Sequence, residues 1–304
     1  SVQSRFVLRM ATEDDYAFLG VPTDVLSGDS PPGRGLFKKR EVQVAVLGGT
    51  SDASEQSRMV RGFAETMAKS GVPRAPEVAS LPEIVPAADL PAQVDELPVI
   101  AMNSDDLAPM AIDPRGGFVV TGPPGSGRTT TMVQLAKAIK RWRPSAQLHL
   151  ITLRRNSELT ALPEFDRTAT REDDIKELCE LLKERALDES SPLQVLMVEK
   201  LDDLNTSPYQ SPLQDAIKPL VDNDHFVVAE ADPSAMTTSM GLPGLVKAAR
   251  SGMALAPDGS ESSMIFKTNF PPLARVFMPE GRGVLVRKGK AEIVQIARPE
   301  MAVR

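Results

Sequence analysis

The sequence predicts an α/β fold in which a doubly wound parallel sheet carries an added β-hairpin at its C-terminal end. Short apolar runs typical of buried strands alternate with helical patterns, and such alternation produces a parallel sheet covered on both faces. A glycine-rich loop joins one strand to a helix, and an alternating strand pattern at 293–297 follows a glycine-rich turn. The predicted strands are 97–101, 117–121, 147–152, 194–199, 225–230 and 252–256, and the predicted helices are 127–142, 171–187, 210–222 and 242–250.

The composition is that of an ordinary globular protein. The chain has 304 residues, of which 41% are hydrophobic and 25% charged. Its single cysteine, Cys179, excludes a disulfide within the chain and lies in a helical apolar pattern, where a core role is expected. The net charge of −6 disfavours a polyanion such as DNA as the main partner.

The segment 122–129, GPPGSGRT, matches the phosphate-binding pattern G-x-x-x-x-G-K-[ST] except at the lysine position. A strand pattern precedes it and a helical apolar face follows it, which disfavours the alternative of a Gly/Pro turn without a ligand. Such a loop cradles phosphates with backbone N–H groups, and its hydroxyl binds Mg²⁺. We therefore expect ATP here, with Thr129 as a ligand of Mg²⁺. The residues predicted to hold the nucleotide are Gly122, Pro123, Pro124, Gly125, Ser126, Gly127, Arg128, Thr129 and Thr130.

Arg128 occupies the position where the pattern has lysine. A lysine ammonium is a compact point charge, whereas a guanidinium is larger and planar. Arg128 either grips phosphate through two hydrogen bonds or folds into the phosphate site and blocks it. The sequence leaves both alternatives open.

Glu199 is the one candidate for the acidic half of the site, both as a catalytic group and as a second metal ligand. It closes the apolar run predicted as a strand at 194–199. A working ATPase would carry a carboxylate at the next position, but this chain has Lys200, which repels Mg²⁺ and cannot act as a base while protonated. An ordinary solvated strand end is an equally good interpretation of Glu199 and Lys200. Together with Arg128, Lys200 predicts little hydrolysis.

The chain contains a repeated turn. The sequence PPGRG at 31–35 returns as PEGRG at 279–283, about 248 residues later, and a basic cluster and an alternating strand follow each copy. The strand after the first copy is predicted at 42–47. Arg34 and Arg282 are candidates for fingers acting on a neighbouring subunit, but solvated turns are the stronger interpretation.

Two further segments lie between the copies. A helical pattern runs through 50–70, with Met59, Val60, Phe63 and Met67 on one face. The proline-rich residues 72–98 indicate an extended linker.

The loop 122–129, the segment 105–113 and the repeated turn with its hairpin resemble the FtsK/SpoIIIE superfamily. The chain is most similar to the last ATPase domain of EccC/EssC proteins of type VII (ESX) secretion. This resemblance implies a P-loop NTPase fold of the RecA/FtsK type. It also implies that residues 1–74 are the tail of a preceding FtsK-like ATPase domain, 75–98 a linker, and 99–304 the last, degenerate ATPase domain.

The resemblance further implies a cytoplasmic ATPase portion of a protein tethered to the bacterial cell membrane. Expected partners are other ATPase domains of the same chain and a helical ESX-type secretion substrate that docks through its C-terminal signal. Superfamily members form hexamers when active, although the sequence itself indicates no oligomeric state. We expect weak or structural ATP binding with little hydrolysis. The alternatives are an active ATP-hydrolysing motor and an FtsK-type DNA translocase, which the negative net charge disfavours.

A methionine-rich segment near 234–256 is a candidate for the docking of a substrate helix, because methionine-rich surfaces adapt to helical ligands. Packing in the core is the favoured alternative for the same residues. The candidate docking residues are Met236, Met240, Leu242, Leu245 and Val246.

Overall fold

The computed structural model describes residues 5–10, 12–22, 25–26, 29–75, 79–205, 208–273 and 277–300. These residues form two compact units, Ser1–Val78 and Ala79–Arg304. Each unit has its own hydrophobic core. Among the described residues, no helix is both long and apolar enough to span a bilayer.

The first unit is a small antiparallel sheet with two helices. Its central strand is flanked by the other two, and Val7, Tyr16, Val21 and Leu26 form its core. The elements are β1 (Phe6–Leu8), α1 (Glu13–Phe18), β2 (Arg34–Phe37), β3 (Arg40–Gln43) and α2 (Ala53–Lys69).

Two predicted elements of this unit end earlier than expected. The strand predicted at 42–47 stops at Gln43, and a short 3-10 turn, Leu47–Gly49, lies beyond it. Gly48 and Gly49 of this turn adopt positive φ, which a strand does not continue through. The helix predicted at 50–70 spans Ala53–Lys69, with Asp52 accepting a hydrogen bond from the Glu55 N–H at its N-terminus. None of its residues is buried.

The second unit is the predicted α/β domain. All of the strands and helices predicted between 97 and 256 are present with small shifts at their ends. The elements are β4 (Val85–Pro86), β5 (Gln93–Val94), β6 (Leu97–Asn103), β7 (Pro109–Ala111), β8 (Gly116–Thr121), α3 (Arg128–Trp142), β9 (Gln147–Ile151), β10 (Arg167–Ala169), α4 (Glu172–Leu187), β11 (Gln194–Val198), α5 (Leu201–Asn205), α6 (Gln210–Asp222), β12 (Phe226–Ala231), α7 (Gly241–Lys247), β13 (Gly252–Leu255), α8 (Ser260–Met264), β14 (Arg282–Arg287) and β15 (Lys290–Arg298).

The large sheet has the strand order β10-β9-β11-β12-β8-β13-β14-β15-β6-β5. The first six strands in this order, from β10 through β9, β11, β12 and β8 to β13, are parallel. The antiparallel hairpin β14–β15 extends the sheet from β13. One core cluster packs α4, α6 and α7 on one face of the sheet, and another packs α3 on the opposite face. The doubly wound fold with an added hairpin is therefore confirmed.

Close helix packing explains one glycine of this sheet. A Cβ atom at Gly117 would lie 1.9 Å from the carbonyl oxygen of Val246, so α7 approaches β8 more closely than any side chain allows. Because β8, β11 and β12 are parallel, their carboxyl ends meet at one edge, where ligands bind in such folds.

The segment predicted as a linker, 75–98, is largely part of the second unit. Leu81, Val85 and Leu90 are buried, and β4 pairs with β15. The indole N–H of Trp142 donates to the carbonyl of Glu96. The prolines keep this segment extended, as predicted, but the apolar residues between them pack on the domain. The domain therefore begins at Ala79 rather than at position 99, while residues 76–78 lie outside the described residues.

The repeated turn has the same hydrogen bonds in both copies. The Arg34 Nε donates to Gln43 Oε1 at 3.0 Å, and the Arg282 Nε donates to Gln295 Oε1 at 3.1 Å. Each glutamine amide returns a bond to the turn, to the Pro32 carbonyl at 3.0 Å or to that of Glu280 at 2.8 Å. The repeated sequence at 31–35 and 279–283 does not include these glutamines.

The strands beside the two turns also correspond. Leu8 of β1 faces Gly35 of β2, as Leu255 of β13 faces Gly283 of β14. The first unit therefore repeats the arrangement of β13, α8, β14 and β15 in the second unit.

Arg282 is not the solvated or trans-acting group that the turn suggested. It is only 8% exposed, and its Nη2 donates to the carbonyl oxygens of Leu81 and Pro82 at 2.8 and 2.5 Å. The guanidinium thus fastens the segment before β4 to the hairpin. Arg34 is more exposed and pairs with Glu41.

We expect Arg282→Met to lower the free energy of unfolding by about 2–4 kcal/mol, because it leaves the buried oxygens of Leu81 and Gln295 without this donor. Arg115→Met removes an exposed pair with Asp113 and should cost at most about 1 kcal/mol. Urea unfolding followed by the fluorescence of Trp142, the single tryptophan, measures both variants. Equal unfolding midpoints for the two variants would contradict this role of Arg282.

Candidate functional site

The loop predicted to bind phosphate lies between the end of β8 and the start of α3. Gly122, Gly125 and Gly127 all adopt positive φ, and Gly127 is the N-cap of α3. A Cβ atom at Gly127 would lie 3.0 Å from the backbone nitrogen of Gly281, so this position admits only glycine without rearrangement. The backbone therefore has the tight turns that bring N–H groups and a helix N-terminus to one point.

A second observation also indicates that this loop fits a phosphate. The buried hydroxyl of Ser126 has no hydrogen-bond partner among the described residues. Two adjacent cavities border the loop, and they share Thr130 and Glu280. The first is lined by Pro124, Gly125, Gly127, Arg128, Thr129, Thr130, Arg154, Glu230 and Glu280. The second is lined by Glu83, Ile84, Thr130, Thr131, Pro279, Glu280, Gly281, Gln295, Ile296 and Arg298.

Arg128 pairs with two carboxylates of the neighbouring strand end. Its Nη1 lies 2.9 Å from Glu230 Oε1 and 2.5 Å from Asp232 Oδ1, and its side chain is 15% exposed. The guanidinium therefore bridges the start of α3 and the end of β12, and its charge is compensated within the protein. Neither of the two alternatives for Arg128 included these partners.

Glu230 is a buried acid with two donors. Burial raises the pKa of its carboxyl group, while the backbone N–H of Lys200, at 2.9 Å, and the charge of Arg128 act in the opposite direction. Arg128 and the Lys200 N–H thus both favour the ionised form of Glu230 against the effect of burial.

Glu199 is buried directly after β11, and both of its carboxylate oxygens have partners. Oε2 accepts the Thr152 hydroxyl at 2.7 Å, and Oε1 accepts Arg154 Nη1 at 3.0 Å. The Lys200 ammonium lies 3.9 Å from Asp202 and 4.0 Å from Asp203. In the described part of the chain, no three or more His, Cys, Asp or Glu residues form a group that could hold a metal ion.

Three residues at the site were missed at the sequence level. Asp232 lies two positions beyond Glu230, Arg154 follows β9 at the same edge of the sheet, and Glu280 belongs to the repeated turn. The Thr130 hydroxyl donates to Glu280 Oε1 at 3.3 Å. Arg154 could be assigned to the site only from the order of the strands in the sheet, which shows that the end of β9 lies at the same edge as the loop.

The candidate docking residues divide by burial. Met236, Leu242 and Val246 are fully buried, and Leu245 is partly buried against the same core. Only Met240, with 80% of its surface exposed, is fully accessible. The core interpretation therefore holds for the three buried residues, and a docking surface here would contain Met240.

No protein-family model and no curated protein matches this sequence. Several solved structures do match it. The cytoplasmic domain of the Thermomonospora curvata type VII secretion ATPase EccC has 18% identity and a TM-score of 0.62, covering 97% of this chain and 38% of that one. ATPases 2 and 3 of the same protein, in complex with a signal sequence peptide, have 18% identity and a TM-score of 0.64 over 98% and 59%.

ATPases 2 and 3 of EssC from Geobacillus thermodenitrificans have 17% identity and a TM-score of 0.59, covering 90% of this chain and 58% of that one. The chain thus spans less than two thirds of each of these structures. At these identities the likeness shows the fold alone, which is the P-loop NTPase fold of these ATPase domains, as the resemblance implied.

Arg128→Met should lower the free energy of unfolding by about 2–4 kcal/mol at pH 8, because Glu230 then carries a buried charge without its partner. Since the pKa of Glu230 in the folded protein is raised above 4.5, this loss appears as pH rises through that pKa and disappears as pH falls toward 4.5. Urea unfolding at pH 5 and pH 8 measures the difference. Adding Glu230→Gln should remove most of the pH dependence; an unchanged dependence would contradict the assignment.

Proposed function

We propose that the second unit is a degenerate P-loop ATPase domain of a type VII secretion translocase, which holds ATP weakly or structurally and hydrolyses it little. The observation that carries this proposal is the pairing of Arg128 with Glu230 and Asp232. The cation that should serve the phosphates is already compensated by two carboxylates.

The loop supplies the elements of a phosphate site. Backbone N–H groups of 122–129 and the N-terminus of α3 would bind the phosphates, and the Thr129 hydroxyl would bind Mg²⁺ if the ion accompanies the nucleotide. Magnesium bound there would neutralise phosphate charge. Ile84, Pro279 and Ile296 give the adjacent cavity apolar walls suited to a base.

The charges around the loop weaken this site. Glu230 and Glu280 line the cavity together with Arg128, and Asp232 binds Arg128 from the side. These negative carboxylates repel the negative phosphates, and the low dielectric near buried groups makes this repulsion stronger than in water. We therefore expect weak binding even though the backbone geometry is suitable.

Hydrolysis requires a group that activates water, and the two acids at the ends of β11 and β12 already have hydrogen-bond partners. Glu199 accepts Thr152 and Arg154, and Glu230 accepts Arg128 and the Lys200 N–H. Lys200 follows Glu199, where a carboxylate would be needed. These contacts support slow or absent turnover.

The first unit supports the proposal of a preceding ATPase domain in the same chain. Phe6, Leu8 and Val44 are exposed, whereas their counterparts in the second unit are buried in the core that includes α3. Those counterparts are Met253, Leu255 and Ile296. We propose that 1–74 are the tail of a similar domain whose helix covers these side chains.

We also propose a cytoplasmic location within a membrane-tethered protein, with the resemblance and the EccC cytoplasmic domain as support. A hexamer stays a prediction that rests on the resemblance. DNA is a disfavoured partner because the net charge is −6.

An ESX-type helical secretion substrate is the proposed partner, docking through its C-terminal signal. The structure of EccC in complex with a signal sequence peptide supports this class of partner. On this chain, Met240 is the exposed member of the candidate docking set.

We expect calorimetry at physiological salt to detect weak binding of Mg-ATP to the full chain, and phosphate release to stay at background. Asp232→Asn should tighten binding about fivefold, because it removes one negative charge beside Arg128. Asp222→Asn makes the same change in net charge at an exposed position on α6 and serves as the control. Steady turnover that Glu199→Gln abolishes would contradict the proposal, as would complete absence of binding.

Met240→Asp should abolish binding of a signal peptide while leaving the fold intact, because it places a charge on the proposed apolar contact. Fluorescence anisotropy of a labelled signal peptide measures the affinity, and urea unfolding verifies stability. Met264→Asp, at another exposed methionine, is the control. Equal peptide affinity of the Met240 variant and the wild type would remove Met240 from the docking surface.

A further inference from the structure

The cavity that is lined by Arg128 and Thr129 of the loop also contains a second cation, which the loop motif does not include. Among the described residues that line it, the cations are Arg128 and Arg154. Arg128 is bound by two carboxylates through Nη1, and its side chain is 15% exposed. Its charge is therefore already compensated by the carboxylates of Glu230 and Asp232.

Arg154 has a different environment. It lies in the loop after β9, and its backbone N–H donates to the Thr152 hydroxyl at 3.1 Å, which fixes the turn. Its side chain is 50% exposed and pairs with one carboxylate, that of Glu199, at 3.0 Å through Nη1. Arg154 is thus held in place at one end while its guanidinium stays accessible from the cavity.

A guanidinium has five N–H donors in a planar fork, so one edge can hold a carboxylate while another binds phosphate. Glu199 acts here as a positioning residue, since its second oxygen is fixed by Thr152 at 2.7 Å. The pair Thr152 and Glu199 therefore aims a cation from the end of β9 toward the cavity.

We infer that Arg154 is the cation that contacts the terminal phosphates of the bound nucleotide, in the role that Arg128 cannot serve. This inference rests on the proposed binding of ATP at the loop. It makes the site selective for the number of phosphates through a residue outside the P-loop motif.

The test compares ATP, AMP and adenosine binding to the full chain by calorimetry in wild type, Arg154→Gln and Arg154→Lys. Arg154→Gln should lose at least about tenfold in affinity for ATP, with little change for adenosine, because adenosine has no phosphate for Arg154 to contact. Arg154→Lys should recover part of the loss, since it restores charge without the planar fork. Arg155→Gln, an adjacent exposed arginine, makes the same charge change and should bind like wild type.

The dependence of ATP affinity on salt gives a second readout, which a merely structural role of Arg154 would not alter. Its slope should decrease in Arg154→Gln and not in Arg155→Gln. If Arg154→Gln binds ATP as tightly as wild type, the inference is wrong and the proposed function stands. If ATP and adenosine affinity fall equally, Arg154 is structural and the inference is also wrong. If wild type binds no ATP, the proposed function fails and this inference with it.

Discussion

The ion pairs of Arg128 with Glu230 and Asp232 connect the two strands on which the site is built. Arg128 begins the helix after β8, and the two acids follow or close β12, the neighbouring strand. Burial raises the pKa of the Glu230 carboxyl, the Lys200 N–H and the charge of Arg128 oppose that rise, and Arg128 in turn is paired with both acids. The same residue cannot satisfy both acids and also give its full charge to phosphate. The ion pairs therefore stabilise the structure of the site and weaken its binding of phosphate.

The turn at 279–283 joins this site to the rest of the domain. The Gly281 N–H donates to the Ser126 carbonyl of the phosphate loop at 2.9 Å, and the adjacent Arg282 binds the carbonyls of Leu81 and Pro82. The proline-rich segment, the hairpin and the loop are thus linked by consecutive residues. A shift of the loop would move the turn, and with it the segment that begins the domain.

The sequence was sufficient for the fold, because the alternation of apolar strands and helical faces determines a parallel sheet. It was sufficient for the loop as well, because three glycines at fixed spacing leave few other conformations. Arg154 and Asp232 could not be assigned, since they follow strands whose neighbours are known only from the sheet order. Met236 and Val246 show another limit: an apolar pattern has the same period whether its face meets the core or a partner.

The two copies of the turn separate what the fold requires from what the site adds. Both copies keep the arginine and glutamine hydrogen bonds, yet the first has Pro32 where the second has Glu280. The turn therefore forms without a carboxylate at this position. In the second copy that carboxylate accepts the Thr130 hydroxyl beside the phosphate loop. Its negative charge is a property of the ligand site and not a condition of folding. The charge of Glu280 and the neutralisation of Arg128 by its two carboxylates both lower the attraction of the loop for phosphate. The loop nevertheless keeps the backbone geometry of a phosphate-binding loop.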